Sequence, residues 1–185
     1  MNKLLVINLH FLFQLYFDLE FQKSNHQKAN GEEILTHFKD FIKNDILKSS
    51  FSGAVDKIEI IDLDSSTPEK FSHHLIVNMY QNGDPVLFED NLNVGKYVSH
   101  LTRSFCNAKS FDEKFGKTSI PSDGKEKEVQ CFTFVDEAVY SKNRNFRTFL
   151  SSKCGKRAVL KRADNEDSLP MINEKDFFLK VRDVT

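Results

Sequence analysis

Asp18 and Glu20 are the residues whose type and spacing most directly suggest chemistry. They lie in the segment Leu15–Gln22, whose odd positions are apolar, a period-two pattern typical of a half-buried strand. In such a strand both carboxylates leave the same face with Cβ atoms about 7 Å apart, so they can bind one divalent cation or a pair of cations. Acidic residues on a solvated strand face give the same pattern. A metal site therefore requires a third carboxylate and cationic partners elsewhere.

Asp136 is the candidate third carboxylate. It follows the apolar residues Phe132–Val135 at the end of a predicted strand, Val129–Asp136. An acid in that position is costly to bury unless it is paired or bound to metal. Three acids from two strands commonly hold two hard cations such as Mg²⁺ or Mn²⁺. Taken alone, Asp136 is also explained as a strand-end acid that meets solvent or pairs with Lys142 or Arg144.

A second predicted strand, Phe71–Met79, presents residue types that bind phosphate. Ser72 and His74 share the face opposite the apolar positions, and Lys70 lies on the same side. Ammonium, hydroxyl and imidazole groups all donate hydrogen bonds to phosphate oxygens. A surface serine beside a partly buried histidine would give this pattern without any ligand.

The formal net charge of −1 conceals a strongly basic segment. Ser141–Arg162 contains eight Lys and Arg residues and no Asp or Glu, so the rest of the chain carries −9. Basic segments bind phosphates, although most charge runs are solvated faces. The basic segment begins just after Asp136 and contains Arg144, Arg147 and Lys153. Cations beside a metal ligand suit a nucleoside triphosphate, whose phosphates need both metal and Arg or Lys.

The remaining elements predict one α/β (α+β) domain with helices packed on a mixed sheet. Further predicted elements are helices over Glu32–Ser49 and Asn93–Cys106, strands over Lys57–Asp64, Val86–Phe88 and Asn145–Leu150, a last short strand starting at Val159 and Leu160, and a long flexible loop over 107–128.

Cysteine usage and the apolar start of the chain limit the class of protein. Three scattered cysteines without a Cys-x-x-Cys pair indicate a reducing compartment and predict neither a disulfide framework nor a zinc site. Met1–Phe17 is apolar but lacks a small-residue cleavage site and is too short to span a bilayer convincingly. We therefore expect a buried strand there and no membrane partner.

Taken in order, the motifs resemble those of archaeo-eukaryotic primases, and most closely the eukaryotic primase-polymerase (PrimPol) family. The shared order is Asp-x-Glu, then Ser-x-His, then an Asp at a strand end. The resemblance runs from about Gln14 to about Lys161. The strings that carry it are Leu15–Phe21, Asp64–Ile76, Phe134–Asp136, Val139–Arg147 and Ser151–Lys153.

The resemblance implies a role for each matched residue. Asp18, Glu20 and Asp136 would hold two Mn²⁺ or Mg²⁺ ions, with no zinc in this chain. The residues implied to contact the incoming nucleotide are Lys70, Ser72, His74, Arg144, Asn145, Arg147 and Lys153. The implied reaction is attack of a 3′-hydroxyl on an α-phosphate with loss of pyrophosphate. The implied fold is a primase catalytic core whose sheet resembles an RNA-recognition motif.

The resemblance also implies partners and a domain plan. The partners are a DNA template-primer and deoxy- and ribonucleoside triphosphates, with DNA extension past lesions, in the nucleus and the mitochondrion. The expected core covers 14–162, between an atypical segment 1–13 and a flexible segment 163–185. Family members also carry an N-terminal template-holding module, a C-terminal zinc module and a tail that binds single-stranded-DNA-binding protein, so the chain is expected to be a core truncated at both ends. The alternatives are a fragment that binds nucleotide or DNA without turnover, and a metal-dependent nuclease.

Overall fold

A central antiparallel sheet carries two helices on one face in the computed structural model. The structure describes residues 13–25, 30–48, 54–107, 118–119, 129–130, 134–141, 146–147, 149–153, 155 and 158–163. The elements are β1 (Leu15–Gln22), α1 (Gly31–Lys48), β2 (Lys57–Asp64), β3 (Lys70–Gln81), β4 (Asp84–Val86), α2 (Asn91–Asn107), β5 (Thr118–Ser119), β6 (Val129–Gln130) and β7 (Lys161–Arg162), with 3₁₀ turns at Lys23–Asn25 and Glu137–Tyr140.

The long strand β3 forms the centre of the sheet. It pairs with β1 along one edge and with β2 along the other, β7 pairs with β2, and β4 pairs with the end of β3. Every described pairing is antiparallel, so the predicted mixed sheet is wrong in this respect, while the α+β class is confirmed. The connection between β2 and β3, residues 65–69, is too short for the crossover that a parallel pair requires. Asn82 and Gly83, with φ of 52° and 88°, form the tight turn that leads into β4.

The helices cover only one face of the sheet. The odd-numbered residues of β1 are buried there, and Phe17 packs edge-to-face on Phe38 of α1 with ring centroids 5.3 Å apart. Phe134 packs on the same Phe38 ring at 5.0 Å. The opposite face has a smaller apolar cluster formed by Ile61, Leu63, Ile76 and Leu160. Asp18 and Glu20, which point away from the helices, are therefore free to build a polar site.

A polar network also lies under the helices. His73 of β3 is 1% exposed, and its Nδ1 lies 2.7 Å from Asp62 Oδ1 of β2. Lys39 of α1 forms an ion pair with the other oxygen of Asp62. Burial raises the pKa of Asp62, but the hydrogen bonds and charges of His73 and Lys39 outweigh it, and the pKa is lowered overall. This His73 network joins α1 to the two central strands, a role that the sequence did not predict.

Several predicted elements differ from the observed ones. No strand forms at the described residues of 145–150: Phe149 and Leu150 make a turn, and Leu150 has a φ of 61°. Leu150 instead donates its N–H to the carbonyl of Leu160, next to a bridge between Ser152 and Val159, and the regular strand that follows is β7. The predicted strand Val129–Asp136 is regular only in β6; Val135 forms an isolated bridge, and 131–133 lie outside the described residues.

Cys106 provides a further correction, because it is disulfide-bonded in the structure whereas no disulfide was predicted. The other two cysteines lie outside the described residues. Inside the predicted loop 107–128, Thr118–Ser119 pairs with Val129–Gln130 as a short hairpin. Neither α1 nor α2 is long and apolar enough to cross a membrane.

Candidate nucleotide and metal site

The register between β1 and β3 brings the two strand motifs together. Asp18 lies opposite His74, Glu20 opposite Ser72, and Gln22 opposite Lys70. Paired residues of an antiparallel ladder point to the same face, so the acids and the phosphate-binding types form one surface. This surface is the side of the sheet away from α1 and α2. The sequence predicted each motif on one face of its own strand, and the register places the two faces side by side.

Asp136 reaches the same surface through a short bridge to β1. Leu19 and Val135 form an antiparallel bridge, in which Asp136 donates its N–H to the carbonyl of Asp18 at 2.8 Å and Glu20 donates its N–H to Phe134 at 2.7 Å. The third predicted acid therefore lies directly beside the first. Their roles as metal ligands stay predictions.

Asp18 is the most perturbed acid of this surface. It is 9% exposed, and its Oδ1 is buried without a hydrogen-bond partner. Burial, followed by the negative charges of Glu20 and Asp136, raises the pKa of Asp18 to about 6, although Lys153 and Arg147 oppose the shift. A buried carboxylate with an unsatisfied oxygen, close to two other carboxylates, is an environment that a bound cation would stabilise.

The side chains around Asp18 do not form a finished metal cage. Among the described residues, no three His, Cys, Asp or Glu side chains are grouped so that they would hold an ion. Glu20 accepts a 2.5 Å hydrogen bond from Lys70, and Asp136 Oδ1 accepts one of 2.9 Å from the N–H of Ala138. These carboxylates are occupied by protein donors, yet they are hard oxygen ligands of the kind that Mg²⁺ and Mn²⁺ prefer. By their chemistry the three carboxylates fit such ions, and binding one would require Glu20 and Asp136 to give up the hydrogen bonds to Lys70 and Ala138.

His74 connects the acids to the cationic side of the site. It is 1% exposed, and its Nε2 lies 3.5 Å from Asp18 Oδ1 and 3.4 Å from Arg147 Nη2. Its ring stacks on Phe146 with centroids 4.4 Å apart. Burial, and then the charge of Arg147, lower the pKa of His74 to about 3, so the imidazole is neutral near pH 7.

A cleft of about 420 Å³ opens beside these residues. Three predicted nucleotide contacts, Lys70, Arg147 and Lys153, line it and supply positive charge, and Ser72 adds a hydroxyl. Lys153 Nζ lies 4.0 Å from Glu20 Oε2, so the cations of the cleft border the acids. The predicted contacts Arg144 and Asn145 lie outside the described residues. Triphosphate binding by these groups stays a prediction.

Two residues of the site were missed by sequence reasoning about single residues. Ser65 lines the cleft and contacts both Ser72 and Arg147, and Phe146 supports His74. Both lie inside strings that carry the family resemblance, which was the available signal. A serine in a turn and a phenylalanine among basic residues carry no chemical pattern of their own.

An antiparallel α+β layer with this arrangement of strands is consistent with a primase catalytic core. No family model matches the chain. Curated vertebrate proteins do match it, and each is named DNA-directed primase/polymerase protein. The zebrafish (Danio rerio) protein is 32% identical over 177 residues, which cover 85% of this chain and 33% of that protein. The human protein is 27% identical over 88% of this chain and 38% of its own length, and the chicken (Gallus gallus) protein 27% over 87% and 37%.

The chain is therefore a homologue of the DNA-directed primase/polymerase proteins, which confirms the resemblance seen in its motifs. It spans about a third of the length of the curated relatives that it matches.

Proposed function

We propose that this chain contains the nucleotidyl-transfer site of a DNA-directed primase/polymerase. The observation that supports it most is the β1–β3 register, which sets Asp18 and Glu20 directly opposite His74 and Ser72. Asp136 joins the same surface through its backbone hydrogen bond to Asp18. The homologues' names support the primase/polymerase class. The two-metal mechanism and the assignment of residues are our proposal.

The proposed reaction extends a nucleic acid by one nucleotide. The 3′-hydroxyl oxygen of the primer bonds to the α-phosphorus, the bond from that phosphorus to the bridging oxygen of the β-phosphate breaks, pyrophosphate leaves, and the hydroxyl proton passes to solvent. Two Mn²⁺ or Mg²⁺ ions held by Asp18, Glu20 and Asp136 would stabilise charge on the attacking and leaving oxygens.

The protein's own residues bind and orient the triphosphate. Lys70, Arg147 and Lys153 line the cleft, where they neutralise phosphate charge. A guanidinium group can only donate, so the neutral His74, whose pKa is about 3, accepts the N–H of Arg147 on Nε2 and adds no positive charge beside it. Lys70 now pairs with Glu20; when Glu20 turns to bind cations, the ammonium group is released to contact a phosphate.

The remaining features of the proposal come from the resemblance. The partners are a DNA template-primer and deoxy- or ribonucleoside triphosphates, and the process is primer synthesis with extension past damaged bases. The proposed location is the nucleus and the mitochondrion. Binding to single-stranded-DNA-binding protein is proposed only for a protein that carries the corresponding C-terminal tail.

The test is primer extension by the full chain with Mn²⁺ and deoxynucleoside triphosphates, comparing the wild type with Asp18→Asn and Asp136→Asn. Each substitution removes a charge while keeping the side-chain size. Glu89→Gln is the matched control, because Glu89 is an exposed acid before α2 and outside the site. We expect extension by the wild type and the control, and loss of extension in both site variants.

Nucleotide binding measured by calorimetry separates the alternatives. Binding without extension by the wild type would favour the fragment that binds without turnover. Cleavage of the primer in place of extension would favour the nuclease. Extension that survives both Asp18→Asn and Asp136→Asn would refute the proposed site.

A further inference from the structure

We propose that Ser65 is a positioning residue, which orients Arg147 and Ser72 towards the triphosphate through a chain of hydroxyl groups. This inference rests on the proposed nucleotide site, and it assigns a role to a residue that neither the motifs nor the similarity to known proteins had singled out. Ser65 lies just after β2, is 7% exposed, and lines the cleft.

The hydrogen bonds around Ser65 define a direction. Arg147 Nη2 lies 3.2 Å from Ser65 Oγ, and a guanidinium group can only donate, so Ser65 accepts this bond. Ser65 Oγ also lies 3.1 Å from Ser72 Oγ. If Ser65 donates its own proton to Ser72, the hydroxyl proton of Ser72 is free to point into the cleft. Arg147, Ser65 and Ser72 then form a relay that ends on a phosphate oxygen.

The backbone holds Ser65 in this position. The Ser65 N–H donates to the carbonyl of Ser72 at 2.9 Å. The two serines are therefore joined through their backbones as well as through their hydroxyl groups. The next residue, Ser66, accepts the N–H of Ser72 on its Oγ at 3.0 Å, and Asp64 Oδ1 accepts the N–H of Ser66 at 2.7 Å. The turn after β2 is therefore tied to β3 on both sides of Ser65. A fixed hydroxyl is what a positioning role requires.

Arg147 needs such support because its side chain is long and rich in rotamers. Its described contacts in the site are Ser65 Oγ and, at 3.4 Å, His74 Nε2. Since His74 also faces Asp18, Ser65 is the partner that keeps the guanidinium on the side of the cleft. Without the hydroxyl we expect Arg147 to sample more orientations and to bind phosphate less well.

The test measures the affinity of the full chain for dATP with Mn²⁺ by calorimetry, together with KM and kcat in primer extension. Ser65→Ala is compared with Ser65→Thr, which keeps the hydroxyl, and with Ser99→Ala, whose hydroxyl in α2 contacts Arg103. We expect Ser65→Ala to weaken dATP binding and raise its KM roughly tenfold, with primer affinity unchanged. Ser65→Thr should stay within about threefold of the wild type, and Ser99→Ala should match it.

A double-mutant cycle with Arg147→Ala tests whether Ser65 acts through Arg147. We expect Ser65→Ala to add little to the loss already caused by Arg147→Ala. The inference would be overturned if Ser65→Ala reduced dATP affinity by the same factor with and without Arg147→Ala. It would also be overturned if Ser65→Ala bound dATP like the wild type. Because binding is measured directly, the cycle also decides the matter if the wild type binds dATP but does not extend primers, an outcome that would refute only the proposed function. A wild type that does not bind dATP would overturn both.

Discussion

His73 and His74 are neighbours on β3, almost fully buried, and yet they belong to opposite kinds of polar environment. His73 lies under the helices, where Asp62 and Lys39 complete a network of opposite charges. His74 faces Asp18 on the other side of the sheet, where three carboxylates repel one another. These environments shift the pKa values of the two carboxyl groups in opposite directions: the pKa of Asp62 is lowered, whereas that of Asp18 is raised to about 6.

This contrast separates the polar cluster that supports the fold from the one that is suited to bind a ligand. In the His73 network opposite charges lower the pKa of Asp62, and this balance stabilises the folded state even though His73 Nε2, 3.3 Å from Asp64 Oδ1, has no hydrogen bond. A cluster with an unsatisfied carboxylate oxygen costs stability until something binds, and such strained electrostatics are typical of functional sites. The same strand carries both, because alternate residues of β3 point to opposite faces.

The largest expected effect comes from Asp18→Asn, which should act in opposite directions on activity and stability. Extension should fall by roughly a thousandfold, because several kcal/mol of metal-mediated charge stabilisation is lost. The free energy of unfolding at pH 7.5 without metal should rise, because a repelled carboxylate is removed. Extension kinetics and urea unfolding measure the two effects. A loss of stability together with the loss of extension would contradict the proposal that Asp18 serves the site at a cost to the stability of the fold.

Asp62→Ala should show the reverse pattern on the helix-covered face. The free energy of unfolding should fall by about 3–5 kcal/mol, because His73 and Lys39 lose their buried partner. Among molecules that remain folded, nucleotide affinity should change little. Urea unfolding and calorimetry with dATP and Mn²⁺ test this, with Glu89→Ala as the exposed acid control. A variant that keeps wild-type stability would show that this network does not support the fold.

The pH dependence of stability should differ between the two acids. Because the folded pKa of Asp18 is raised, its contribution is fully present below about pH 4 and is lost as the pH rises through about 6, an effect of roughly 3 kcal/mol. Because the folded pKa of Asp62 is lowered, its contribution is present above about pH 4 and is lost as the pH falls through the folded pKa.

Unfolding curves of the wild type, Asp18→Asn and Asp62→Asn between pH 3 and 8, recorded without metal, test these signs. Asp18→Asn should lose the decline between about pH 4 and 6. Asp62→Asn should lose stability mainly on the neutral side. If Asp18→Asn leaves the pH dependence of the free energy of unfolding unchanged, repulsion among the three carboxylates does not destabilise the folded protein.

The smallest expected effects come from two glycines that lie against aromatic rings. A Cβ on Gly31 would come within 2.4 Å of the Phe71 ring, which stacks on His73, and a Cβ on Gly95 within 2.7 Å of Tyr140, four residues after Asp136. Gly31→Ala and Gly95→Ala should each lower the free energy of unfolding by about 1–3 kcal/mol. Thermal unfolding and extension assays separate them, because only Gly95→Ala should also slow extension. If the two substitutions slowed extension equally, the proposal that the Gly95 contact supports the site and the Gly31 contact supports only the fold would be wrong.

Local periodicity predicted the elements that hold most of the site. The alternation in Leu15–Gln22 and Lys57–Asp64 matches β1 and β2 residue for residue, and the apolar stripe around Phe38 predicted α1 to within one residue at each end. The predicted strand at Asn145–Leu150 was wrong because the hairpin with Leu160, a tertiary contact, determines the backbone there. The metal and nucleotide roles stay predictions.

The sequence pattern was enough to predict that Asp18 and Glu20 share a face, since alternation along a strand is a local property of the backbone. The motifs also indicated a resemblance to primase-polymerases, which the similarity to curated primase/polymerase proteins confirms. Three features became visible only in the folded chain: Asp18 faces His74, Asp136 lies beside them, and His73 pairs with Asp62 under the helices. The physical reason is that pairing register, burial and the field of neighbouring charges depend on segments far apart in the chain, which the sequence does not place in contact.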